Sequence, residues 1–387
     1  MHQKFYFEYP VDWLDGKKPQ QITFVQNVIR CCLELKVELT CIPVSFPSYG
    51  VKRLTPKNLL ISFHSFENPD KVLSYKEAPI NGLFSIDKTG YAGWSDIYLN
   101  FKKYKCEIEK ISSQELNTTL QNYRSQLLSG DSKHPQIEDN SPLPEDYILF
   151  PLQVRSDSVA YHANLDMVQV IQTMSTLSKK YKKNIVVKIH PFCDSEVAKT
   201  TQFIENESNP YFHNSNTHII QLIKNADKVV ACNSGASLEA LILGKDVYCF
   251  GASEWYEITN KIESIDDLEN IFKNTAQKEQ TIFQKKYLTY LLKYYWIRYD
   301  DINSIKKVLI NFNTSNPNSY HNDDLYSELT NNLLAKQIEL TERQKQIEII
   351  EKDFIFMQKI LNYFRRRPWK ILKYYILSVK KKLKKKK

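Results

Sequence analysis

Glycine is scarce, with 9 in 387 residues, and proline numbers only 15. That excludes collagen-like and Gly/Pro low-complexity chains. The glycine-rich phosphate cradles are missing too: there is no G-x-x-x-x-G-K-[ST], no G-x-G-x-x-G and no G-x-S-x-G. Any phosphate is therefore left to helix N-termini, hydroxyls and cationic side chains. No Asp-x-Asp occurs, so the usual metal–nucleotide signature is absent. The seven cysteines form no C-x-x-C pair and no Cys/His zinc spacing. An odd count of thiols, several inside apolar runs, fits a reducing cytoplasm. No apolar run reaches 18 residues, so no transmembrane helix is expected. The first eight residues, MHQKFYFE, lack a signal-peptide apolar region.

What is present describes a globular chain. Hydrophobic residues make up 42% and charged residues 25%, enough to bury a core over two or three domains. The net charge of +9 is a local property. Residues 365–387 hold 12 Lys/Arg and no acid, which leaves the other 364 residues at a net −3. The body is no basic platform for nucleic acid.

Patterning divides the chain into a mixed α/β domain (1–129), a polar linker (130–146), a second domain (147–310), a long helix (323–362) and a basic tail (365–387). In the first domain, strands are expected at 5–9, 37–44 and 59–63, and helices at 20–35 and 112–128. In the second, the continuous apolar run at 147–152 reads as a buried parallel strand, and 184–189, 228–232 and 246–250 read as further strands. Helical stretches alternate with them, which defines a doubly wound sheet. Residues 267–308 read as helical. The long helix has a 3-4 apolar seam from Tyr326 to Leu361, interrupted by Lys336 and Arg343, which argues a coiled coil or a docked hairpin.

Doubly wound sheets bind ligands at the carboxyl ends of their strands, which selects residues 153–158, 190–191, 233–239 and 251–255. Gln153-Val-Arg-Ser-Asp157-Ser158 follows the first strand. Asp157 stands before a helix, where it can cap that helix or act as nucleophile or base. Lys188-Ile-His190-Pro closes the second strand. Alternation puts Lys188 and His190 on one face, and the proline holds His190 extended. It can donate to a phosphate or carboxylate there, or serve packing alone. Asn233-Ser234-Gly-Ala-Ser237-Leu-Glu239 ends a strand and opens a helix. Ser234 or Ser237 can meet an anion at the positive end of the helix dipole, and Glu239 can accept from a ribose. N-capping by Asn233 or Ser234 explains the same residues. In the first domain Glu77 precedes Ala-Pro in a stretch read as irregular. Asp87-Lys-Thr-Gly90-Tyr91-Ala-Gly93-Trp94 reads as an aromatic turn, suited to stacking on a sugar or to core packing.

Taken together, ILFPLQVRSDS, VVKIHP and IIQLIKNADKVVACNSGASLEALILGKDVYCFG resemble the capsule-polysaccharide biosynthesis proteins of Gram-negative bacteria, which include the retaining β-Kdo glycosyltransferases. The pieces stand in family order over about Tyr147 to Tyr256. Lys76-Glu-Ala and the 87–95 stretch resemble the first domain of the same enzymes. The resemblance implies a GT-B-like α/β architecture: two Rossmann-like domains facing across a cleft, here with the C-terminal coiled-coil helix and amphipathic tail added. It implies CMP-Kdo as donor substrate, no cofactor and no metal. Asp157 would be the nucleophile and Glu77 the acid/base that activates the acceptor hydroxyl. Lys188 and His190 would hold the CMP phosphate or the Kdo carboxylate. Ser234 and Ser237 would supply anion contacts and Glu239 the ribose contact, with Gln153, Ser158 and Asn233 completing the donor set. Asp87, Tyr91 and Trp94 would face the acceptor. Two features depart from the family: Gly251-Ala-Ser-Glu-Trp-Tyr256 replaces a long Gly/Pro-rich donor loop, and there is one catalytic unit where some relatives have two.

The tail from Arg365 places Trp369, Leu372, Ile376, Val379 and Leu383 at 3-4 spacing among cations. That is the pattern of an interfacial amphipathic helix on an anionic membrane. The expected partners are a nucleotide sugar, a lipid-linked glycan acceptor, an anionic membrane surface through residues 365–387, and a second copy through the coiled coil; nucleic acid is not expected. The expected place is peripheral, at the cytoplasmic face of the bacterial inner membrane. Two other readings stand beside this one: another CMP- or UDP-sugar transferase of the same fold, and a non-catalytic membrane-bound scaffold or chain-length regulator.

Overall fold

The computed structural model describes residues 4–45, 48–130, 142–154, 157–190, 196–206, 209–274 and 279–315. The expected coiled coil at 323–362 and tail at 365–387 lie outside the described residues, as does most of the expected linker.

The first domain contains β1 (Lys4–Pro10), β2 (Glu38–Val44), β3 (Leu59–Phe63), β4 (Val72–Glu77) and β5 (Leu83–Asp87). The second contains β6 (Tyr147–Pro151), β7 (Asn184–Lys188), β8 (Phe212–Asn214), β9 (Lys228–Ala231), β10 (Asp246–Cys249) and β11 (Asn260–Lys261). A last strand, β12 (Trp296–Arg298), follows.

The second sheet has the order β11-β10-β9-β6-β7-β8, and every neighbouring pair is parallel. Counted from β6 this is the 3-2-1-4-5-6 order of a dinucleotide-binding sheet, with its switch point between β6 and β9. β6, β9 and β10 are buried throughout, including Lys228 and Asp246 at the first positions of β9 and β10. Asp166 starts the Met167–Tyr181 helix on one face by accepting the amides of Val168 and Gln169.

The first sheet has the order β12-β5-β4-β3-β1-β2. β1 to β4 pair in parallel, while β5 and β12 are antiparallel additions at one edge. The 267–308 stretch is thus not continuous helix. It is cut into helices Asp267–Lys273 and Ile282–Tyr290, a π-turn at Leu291–Tyr295, strand β12, and helix Ile302–Thr314. The π-turn ends the helical register, and Trp296 enters the first sheet opposite Ser85. Helix Ile302–Thr314 packs on helix Pro19–Glu34, where the Cys31 thiol reaches the Ile302 carbonyl and Lys306 pairs with Glu34. The chain therefore leaves the first lobe, builds the second, and returns.

Three large apolar cores follow among the described residues. One lies under the first sheet around Phe5, Phe24, Tyr75 and Phe84, and Phe24 stacks on Phe84 at 3.9 Å. Another covers one face of the second sheet. The third is shared by both lobes: Ile97, Ile108 and Leu120 join Leu149, Val186 and Val229.

Candidate active site

The carboxyl ends of the two sheets frame a cleft of about 450 Å³, the volume of a small-ligand pocket. On the second sheet it opens where β6 and β9 diverge, at the switch point.

Asp157 lines this cleft. It caps the short turn Ser158–His162, its Oδ1 accepting from Val159 N and Ser158 Oγ, both at 3.3 Å. The Gln153 amide reaches its Oδ2 at 3.4 Å. Capping and display in the cleft, alternatives in the sequence, are both realised by one carboxylate. Gln153 and His190 line the same wall. Burial lowers the His190 pKa, and the Asp157 charge opposes that shift.

Glu77 lines the opposite wall. It is the last residue of β4 rather than part of an irregular stretch, and it pairs with Phe84 across an antiparallel ladder. Gln21 Nε2 donates to its Oε1 at 2.6 Å, which fixes the carboxylate from the neighbouring helix. Two carboxylates from different lobes thus share one cavity.

Ser234 caps helix Gly235–Ile242 through Ala236 N and lines the cleft beside Asn233. The Asn233 amide donates to Val159 O at 2.7 Å and Ala252 O at 2.9 Å, tying the Asp157 turn to the 251–255 loop. Its Oδ1 is buried with no partner among the described residues. Glu239, one turn into the helix, also faces the cleft. It is only 7% exposed, and burial pushes its carboxyl up to about 8. Lys188 lines the cleft while its ammonium donates to the carbonyls of Asn216 and Thr217, shaping the loop after β8.

Four expected site residues play other parts. Ser237 is fully buried. Its hydroxyl donates to Ser234 O and accepts from Trp255 Nε1 at 2.8 Å, so it is occupied in packing rather than offered to an anion. Asp87 is 5% exposed and saturated. Its Oδ1 accepts from Thr89 N, Thr89 Oγ1 and Gly90 N, and its Oδ2 from Asp96 N and the Tyr295 hydroxyl. Trp94 stacks flat on Phe66 at 4.0 Å and edge-on to His162 at 4.1 Å, a plug between lobes rather than a sugar platform. Ser158 lies behind Asp157, bonded to the Tyr91 hydroxyl at 2.9 Å. Tyr91 itself reaches the cleft, with the Lys76 ammonium 4.2 Å from its ring centroid.

Lys76, Ser85 and Glu254 also line the cleft, although the sequence assigned none of them a role. Glu254 is buried, which raises its pKa, while the backbone amide of Ala92 across the lobe boundary and the Lys76 charge pull it back. Its signals in the sequence were its place among the strand-end residues 251–255 and in the substituted 251–256 loop.

This is a two-lobed α/β fold whose cavity lies at the switch point of a doubly wound parallel sheet. The chain belongs to the capsule polysaccharide biosynthesis protein family, whose model matches residues 97–301. Among solved structures it is similar to the Thermosulfurimonas dismutans KpsC beta Kdo 2,7 transferase, at 18% identity over 79% of this chain and 100% of that one, TM-score 0.44. The beta Kdo 2,4 transferase of the same KpsC is similar at 12% identity over 79% and 98%, TM-score 0.44. A Methanocaldococcus jannaschii UDP-GlcNAc 2-epimerase is similar at 11% identity over 81% and 100%, TM-score 0.37. No curated protein matches.

Proposed function

We propose that the protein is a retaining glycosyltransferase that moves β-Kdo from CMP-Kdo to a lipid-linked capsule or O-antigen glycan at the cytoplasmic membrane face. The observation that carries this reading is the meeting of Asp157 and Glu77, one from each lobe, in a single cleft of a capsule-synthesis family member. In this reading Asp157 attacks the anomeric carbon and CMP departs, leaving a glycosyl ester on the carboxylate. Glu77, oriented by Gln21, takes the proton of the acceptor hydroxyl as that oxygen displaces Asp157. Two inversions give net retention. The amides opening helix Gly235–Ile242, the Ser234 hydroxyl and His190 meet the anionic donor, and Glu239 meets its ribose. The reaction is proposed to need no metal, so a chelator leaves the rate unchanged.

Two measurements test this. Thermal unfolding with CMP, UDP, GDP and ADP is expected to show stabilisation by CMP alone. Selective stabilisation by UDP or GDP discards Kdo, and no shift with any of the four favours a scaffold. Asp157→Ala is expected to lower transfer from CMP-Kdo at least about 1,000-fold while the unfolding temperature holds. Near-normal turnover in that variant refutes the mechanism.

A further inference from the structure

The Asp157 turn is gripped from the other lobe. The Tyr91–Trp94 turn of the first domain enters the second between residues 158–162 and the 251–255 loop. Its Tyr91 hydroxyl lies 2.9 Å from Ser158 Oγ. Its Trp94 ring meets His162 edge-on at 4.1 Å. Gly93 lies so close that an added Cβ would stand 2.5 Å from the His162 ring. Ala92 stands in the left-handed region at φ 52°, and its backbone amide lowers the pKa of Glu254. The direction of the hydrogen bonds is fixed by counting protons. Ser158 gives its hydroxyl proton to Asp157 Oδ1, so it accepts from Tyr91, whose own proton completes the chain.

We infer that the Tyr91–Trp94 turn is a wedge that positions Asp157, through Tyr91 and Ser158, only when the two lobes are together. Tyr91 and Ser158 are positioning residues: they anchor Oδ1 beside the Val159 amide and, among the described residues, leave Oδ2 with a single contact, from Gln153. Separating the lobes removes the outer donor, and the carboxylate loses its orientation. Closure over both substrates thereby sets the nucleophile. The inference deepens the proposed mechanism and rests on Asp157 as nucleophile.

The test uses the full chain. Tyr91→Phe keeps the ring against Lys76 and removes only the hydroxyl. CMP release from CMP-Kdo is measured for this variant, for Ser158→Ala, for the double variant and for Asp157→Asn. Amide hydrogen exchange at Val159 is followed in parallel. The expected result is a roughly tenfold lower kcat in Tyr91→Phe with the KM for CMP-Kdo unchanged within about twofold. The double variant should be no slower than Ser158→Ala alone, and Val159 exchange should be faster. Wild-type kcat with unchanged Val159 protection in Tyr91→Phe overturns the wedge. Losses that multiply in the double variant overturn the relay. If Asp157→Asn stays active the nucleophile assignment fails instead, and Val159 exchange in Tyr91→Phe still decides whether the wedge holds the turn.

Discussion

Glu239 shows how a single side chain links stability to the cleft. Burial raises its folded pKa to about 8, and no side-chain partner holds it among the described residues. An unfolded glutamate titrates near about 4.3. Between these two values the folded state keeps a proton that the unfolded state has lost, so stability falls as pH rises through that window. Glutamine has the same shape and no such proton. Glu239→Gln should therefore gain stability relative to wild type from pH 5 to pH 8, by up to about 1.4 kcal/mol per pH unit. Glu254 shifts in the same direction, so only the difference between the two proteins isolates Glu239. Parallel pH curves in thermal melts would refute the assignment. The sequence announced Glu239, Asp157, His190 and Ser234 because each sits a fixed few residues past a strand end. It assigned no role to Lys76, Ser85 or Glu254, which reach the cavity only once β4, β5 and the 251–255 loop are assembled. Ser237 and Asp87 misled for a related reason. Motif position marks the neighbourhood of a ligand, whereas burial and prior hydrogen bonds decide which hydroxyl or carboxylate remains to meet it.

The 87–96 turn is built on one carboxylate. Asp87 gathers five donors from Thr89, Gly90, Asp96 and Tyr295, which sets the path of the chain into the wedge. Asp87→Ala strands these groups inside the protein. Chemical denaturation should show a loss of about 3 kcal/mol or more. Near-UV circular dichroism should change as Trp94 leaves Phe66, and a variant with wild-type stability would argue against the hub. Strands and helices differed in how plainly they could be read. β6, β7, β9 and β10 stood out because a parallel strand buried on both faces shows three or more apolar residues in a row. β4 and β5 did not. Each carries a serine inward, Ser74 and Ser85, and each ends on a charge, Glu77 and Asp87. β12 is three residues long and continues the aromatic spacing of helix Ile282–Tyr290. Only its pairing with β5 makes it a strand.

At the scale of the molecule, the return of the chain through β12 and helix Ile302–Thr314 makes the first lobe depend on residues far along the sequence. Phe312 meets Phe5 edge-on at 6.0 Å, and Asn27 donates to Tyr299 O at 3.0 Å. A chain ending at 315 should melt at the same temperature as the full one. A chain ending at 295 loses the edge strand and the covering helix, and its first lobe should no longer unfold cooperatively in calorimetry. Flotation with anionic vesicles separates a further property. The full chain should float and the chain ending at 315 should not, since about 1 kcal/mol per cation near the surface is lost with the tail. Equal flotation would discard the tail as an anchor. The same path of the chain constrains how such proteins can exchange parts. Both ends of the described body belong to one lobe, so the second lobe is an insert and not an appendage. A single recombination joint would split the first lobe; two are needed. Helix Ser113–Leu128 must travel with the insert as well, because Arg124 holds the Ile242 carbonyl at 2.6 Å and Leu120 shares a core with Val229. The transplantable unit then runs from about residue 97 to the π-turn, nearly the same stretch that the family has in common.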